Sequence, residues 1–103
     1  MTISVIPRNY ENLYGLLLKK EQKLRPKGAF YRVPGRFNGF TKWHHKKYNG
    51  WVWLRKAMSG VVVVEIETRD EPNDWQILSA FIGFLGPYFR SEISSISINY
   101  PQK

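Results

Sequence analysis

Apolar positions recur along this chain with two different periods, and the places where the period changes mark its elements. Residues 2–6 alternate and are closed by Pro7, which predicts a short first strand. Asn9 is placed to cap a helix, and Tyr10, Leu13, Tyr14, Leu17, Leu18 and Leu24 recur at helical spacing after it. The outer face of this amphipathic helix carries Lys19, Lys20 and Lys23, and Pro26 with Gly28 ends it. Residues 28–33 predict a strand, with Phe30 and Arg32 on one face and Ala29, Tyr31 and Val33 on the other. Pro34-Gly35 and Asn38-Gly39 mark turns, and residues 40–48 read as an extended segment leading to a hairpin turn at Asn49-Gly50.

Alternation is cleanest over residues 51–56, where Trp51, Trp53 and Arg55 share one face and Val52, Leu54 and Lys56 the other. A turn around Met58-Ser59-Gly60 leads to a β-branched strand over 61–68. Its Val62, Val64 and Ile66 face the core, while Glu65 and Glu67 face solvent or a cationic neighbour. Asp70-Glu71-Pro72-Asn73 reads as a turn, and Asn73 with Gln76 resembles a capping box. Trp75, Ile77, Leu78, Phe81, Ile82, Phe84 and Leu85 then make a helix apolar around most of its circumference, as expected of one buried on several sides or contacting a partner. Gly86-Pro87 should stop it, and residues 91–100 alternate as a last strand with Ile96, Ile98 and Tyr100 inward.

The order β-α-β-β-β-α-β predicts an α+β two-layer sandwich, a mostly antiparallel sheet of four to five strands with two helices on one face, ferredoxin-like or a variant of that plan. The other sheet face would be open, and Trp51, Trp53 and Arg55 would lie on it. At 103 residues the chain is a single domain, 1–103.

Charge changes this picture by dividing the chain in two. Residues 19–56 hold twelve Lys/Arg against one carboxylate, Glu21, and residues 30–53 hold eight of the sixteen aromatics. After residue 56 three basic residues face six acidic ones. The net charge of +8 favours a polyanion or an acidic protein as partner without choosing between them. The chain has no cysteine, which removes disulfides and the commonest structural zinc sites and fits a cytoplasmic home. Neither a signal peptide nor a membrane-length apolar run is read, so no membrane role is expected.

Little here resembles catalytic chemistry. His44 and His45 are adjacent, so they diverge whether extended or helical and cannot form an i,i+4 metal pair. An imidazole flanked by Lys42, Lys46 and Lys47 should have its pKa pushed down, and an RNA-cleaving site would pair such a histidine with a lysine. Asp70, Glu71 and Asp74 precede a helix N-terminus, where carboxylates are favoured for structural reasons. The glycines match no phosphate loop. A non-enzymatic protein without metal or cofactor is therefore expected.

Binding is the better expectation, and its candidate residues are Lys42, Trp43, Lys46, Lys47, Tyr48, Trp51, Trp53 and Arg55. The cations among them would neutralise phosphates and the aromatics would stack on unpaired bases of single-stranded RNA. The same side chains would serve equally as hot spots for a protein partner. The RNA-recognition signature itself is not met, since Lys27-Gly28-Ala29-Phe30 lacks the aromatic after its glycine. Either the strand at 91–100 or the apolar helix at 75–85 would seal a homodimer, unless both are buried within one subunit.

The latter two-thirds of the chain resembles small bacterial immunity proteins, which neutralise a cognate toxin domain delivered by contact or as a bacteriocin. The resemblance rests on Trp43 with Lys46-Lys47, Gly50-Trp51, Leu54, Gly60-Val61-Val62, Asp74-Trp75-Gln76-Ile77-Leu78, Phe81-Ile82-Gly83-Phe84-Leu85 and Ile96-Ser97-Ile98-Asn99-Tyr100. It implies an inhibitor whose surface complements one toxin. The basic charge departs from what opposes a basic nuclease, so the toxin surface should be acidic, or the contact should use Glu65, Glu67, Asp70, Glu71 and Asp74.

Overall fold

The computed structural model describes residues 1–9, 12–69 and 73–100. Six strands, β1 (Thr2–Pro7), β2 (Phe30–Arg32), β3 (Thr41–His45), β4 (Gly50–Lys56), β5 (Val62–Thr68) and β6 (Ile93–Asn99), form one antiparallel sheet in the order β2-β3-β4-β5-β1-β6. Two helices, α1 (Leu13–Leu24) and α2 (Asp74–Phe89), complete the two-layer α+β sandwich. The run β6-β1-β5-β4 keeps the strand order of the split-βαβ plan, and β2 and β3 widen the sheet at the β4 edge. The added width comes from residues 40–48, which supply a strand of their own.

One face of the sheet makes the core. Ile3, Val5, Trp43, Val52, Leu54, Val62 and Val64 are fully enclosed there with Leu13 and Leu17 of α1 and Ile77, Phe81 and Leu85 of α2. Each such aliphatic side chain contributes about 1.5–3 kcal/mol through burial. Gly50 belongs to this face. It begins β4 instead of turning the hairpin, and only glycine fits there, since a Cβ would collide with Ile77 Cδ1 and come within 2.9 Å of the Glu67 carbonyl oxygen. The turn between β3 and β4 is residues 46–49.

Several boundaries differ from the sequence pattern, each for a local reason. Asn12, not Asn9, caps α1, its Oδ1 accepting from the Gly15 N–H at 3.2 Å. Asn73 has helical dihedrals and makes no side-chain cap bond, so the capping box does not form. Helix α2 runs through Pro87 to Phe89, since the buried Leu85 and Phe89 hold the last turn against the core. In β6 the register against β1 pairs Ile6 with Ser95 but Pro7 with Ile93. Ser94 is thus a bulge that brings Ile93 onto the core side with Ile96 and Ile98. Tyr100 follows the strand's end and is 67% exposed, not inward. Tyr10 and the Asp70-Glu71-Pro72 turn lie outside the described residues. Among the described residues no helix is long and apolar enough to cross a membrane.

Candidate functional site: the open face of the sheet

Strand parity sends every second side chain to the face that the helices leave uncovered. Register builds two rows across it. One row runs Tyr31, His44, Trp51, Glu67 over β2 to β5, and the other runs Lys42, Trp53, Glu65, Thr2 over β3, β4, β5 and β1. Both tryptophans are half-buried and both glutamates exposed. A carboxylate therefore stands directly across from each indole.

Lys42 occupies the centre of this surface. Its ammonium lies 4.7 Å from the Trp53 ring centre, 4.8 Å from Trp51 and 5.5 Å from Phe37. Such contacts stabilise by about 0.5–1 kcal/mol each when exposed. The rings are themselves braced. Asn38 and Gly39 both take positive φ, 51° and 85°, in a two-residue turn that pairs Phe37 with Phe40. That turn sets Phe37 edge-on to Trp53 at 5.4 Å and Phe40 edge-on at 6.2 Å. His44 is stacked on Tyr31 at 5.4 Å and meets Trp51 edge-on at 5.5 Å, while the Arg69 guanidinium lies 5.7 Å from Trp51. The whole is a pre-formed aromatic surface with both signs of charge at its rim.

The eight candidates from the sequence separate into three places. Lys42, Trp51, Trp53 and Arg55 share the open face. Lys46, Lys47 and Tyr48 sit in the turn at the sheet's end, where Lys46 Nζ donates to the carbonyl oxygens of Arg25 at 2.7 Å and Pro26 at 3.3 Å and so closes the end of α1. Trp43 is on the opposite face with no exposed surface, packed against Phe30, Phe81 and Phe84, and a partner does not reach it in the folded chain. Tyr31, His44, Phe37, Phe40 and Arg69 join the site only through register. The signal for them was Trp51 and Trp53 themselves, once residues 41–45 are recognised as a strand beside them.

The two histidines lie on opposite faces of the sheet. His45 is buried under the turn, and its Nδ1 accepts from the Lys47 and Tyr48 backbone N–H groups at 3.0 and 3.1 Å. Burial lowers its pKa below the ordinary histidine value, and the charges of His44 and Lys47 lower it further. Over the interval between the folded and unfolded pKa values the unfolded chain binds more protons, so stability rises with pH and is complete above about 6.5. The melting temperature should therefore fall between about pH 7 and pH 5. In His45→Asn, which keeps an acceptor near the Nδ1 position, that part of the decline should vanish; equal slopes in both proteins would contradict the assignment.

Among the described residues no group of three or more His, Asp or Glu is placed to hold a metal ion. Among the described residues the one ion pair is Arg25 with the buried Glu21, two-pronged at 2.8 and 2.9 Å. Protein-family models, curated proteins and solved structures were all compared with the chain, and none of them matches it.

Proposed function

We propose that this protein is a non-enzymatic inhibitor that works in the bacterial cytoplasm, binding a cognate toxin domain with the open face of its sheet. The observation that carries the reading is the Trp51–Lys42–Trp53 cluster with Glu67 and Glu65 opposite its two indoles. Half-buried aromatics ringed by mixed charge are the composition of a protein interface core. Glu65 and Glu67 give the contact an acidic edge beside Lys42, Arg55 and Arg69, which suits a partner of mixed charge.

Single-stranded nucleic acid is the second reading, favoured by the placement of those same cations beside Trp51 and Trp53. It is weaker because a stacking platform requires free ring faces flanked by cations. Here Lys42 lies over both indoles, and the carboxylates opposite them would repel phosphate.

Co-expression tests the proposal. A toxin-domain gene should adjoin this one, its product should be lethal alone and harmless with this protein, and the two should co-purify. A toxin-free neighbourhood with no protection against candidate toxins would sink the reading. Salt-sensitive quenching of tryptophan emission by mixed single-stranded RNA, lost in Trp51→Ala/Trp53→Ala, would reassign the face to nucleic acid. A dimer by light scattering that the same double variant dissolves would reassign it to self-association.

A further inference from the structure

The two edges of the sheet are built differently. Strand β2 is three residues long, ends on Arg32 and is followed by Pro34, and so has the shortness, charge and proline that keep an edge from pairing with another chain. Strand β6 has none of these. It runs seven residues, Ile93–Asn99, without a charge or a proline, and among the described residues it pairs only with β1. Its one irregularity, the bulge at Ser94, lies at its start and leaves residues 95–99 in regular register.

Charge and register identify what pairs there. The protein carries a net charge of +8, so two copies approach best where cations are sparse. The basic strands β2, β3 and β4 occupy the other end of the sheet, separated from β6 by β5 and the uncharged β1. Strand β6 also complements itself. Ile96 and Ile98 lie half-buried on the core side, while Ser95, Ser97 and Asn99 are exposed on the open side. A two-fold axis through Ser97, normal to the sheet, sets Ile96 opposite Ile98 of a second copy and Ser95 opposite Asn99 of that copy. Centring on Ile96 would set Ile98 against the bulged Ser94, and centring on Ile98 would set Ile96 against Tyr100, beyond the strand's end.

We propose that the protein forms a homodimer by antiparallel pairing of β6 with β6 of a second copy, centred on Ser97, which joins the two six-stranded sheets into one. Backbone hydrogen bonds along residues 95–99 and cross-strand isoleucine pairs on the helix side supply the contact. The axis leaves both open faces on the same side and uncovered. Trp51 and Trp53 sit on β4, with β5 and β1 between them and the interface, so the dimer does not depend on what the tryptophan face binds.

Light scattering across a dilution series should show twice the chain mass at high concentration, and Trp51→Ala/Trp53→Ala should dimerise equally well. Ser97→Lys and Ser97→Glu each place like charges opposite one another at the axis, and each should weaken the dimer about fivefold. An equal mixture of the two should dimerise more tightly than either alone, a recovery that misfolded variants would not give. Because the chain has no cysteine, Ser97→Cys can be oxidised cleanly and should cross-link to its own copy. Ser95→Cys should not, since its two copies stand about 13 Å apart along the strands. A monomer at millimolar concentration would leave the edge to a strand of another protein and overturn the proposal. So would a dimer indifferent to both Ser97 charges, a mixture no tighter than its components, a dimer lost with the two tryptophans, or cross-linking as fast at residue 95 as at 97.

Discussion

Alanine at both Trp51 and Trp53 should leave the protein folded and strip it of its partner. Central tryptophans of an interface typically cost about 2 kcal/mol or more each when truncated, close to thirtyfold in affinity. The two are braced by one another's neighbours, so their losses should not add. Both indoles are only half-buried and face away from the core, and their removal forfeits mainly the surface contacts with Lys42, Phe37, Phe40, His44 and Arg69. That points to on the order of 1–2 kcal/mol of stability, or roughly 4–16 °C in melting temperature. Calorimetry of binding beside thermal melts of the same samples separates these effects. A double variant that binds within about threefold of the native protein would remove the tryptophans from the interface.

The same substitution one strand earlier should have the opposite signature. Trp43→Ala removes the largest fully buried side chain in the molecule, one in contact with Phe30, Phe81 and Phe84. Truncations of this kind cost about 3–5 kcal/mol, a large share of the 5–15 kcal/mol that a domain usually possesses. Much of the purified variant should be unfolded or aggregated. Trp43→Phe should lose less, because it keeps most of the ring contacts and deletes the unpaired buried N–H. Denaturant midpoints check both, and a loss under about 1 kcal/mol for Trp43→Ala would show that the core tolerates the void.

The contrast between Trp43 and Trp51 also explains what the sequence concealed. Residues 51–56 alternate between apolar positions and a Trp-Trp-Arg face, so their parity is legible directly. Residues 41–45 are strongly polar apart from Trp43, and nothing local marks Thr41, Trp43 and His45 as buried. Their burial follows from pairing, since Trp43 stands opposite Val52 and Thr41 opposite Leu54. Once that register is known, the basic band divides. Lys42 goes to the open face, Lys46 to the end of α1, and the lysines of α1 to the outer layer.

Other features were hidden for the same reason, that tertiary packing overrides local signals. Pro87 is a strong stop in isolation, yet burial of Phe89 carries the helix past it. The Asn49-Gly50 pair resembles a tight turn, but its glycine answers to the close approach of Ile77. The bulge at Ser94 realigns Ile93 with Ile96 and Ile98, and a strict two-residue count cannot reveal it. The layered architecture and the open face were legible because they need only the number, type and parity of elements. The assembled cluster needed the register.

The most direct test is a titration of the isotope-labelled protein with the toxin domain that the proposed function expects to be encoded beside it, followed residue by residue through backbone and indole signals. The account predicts the largest changes at Tyr31, Lys42, His44, Trp51, Trp53 and Glu65, with the lysines of α1 little affected. Changes centred instead on Lys19, Lys20 and Lys23, with Trp51 and Trp53 undisturbed, would contradict it.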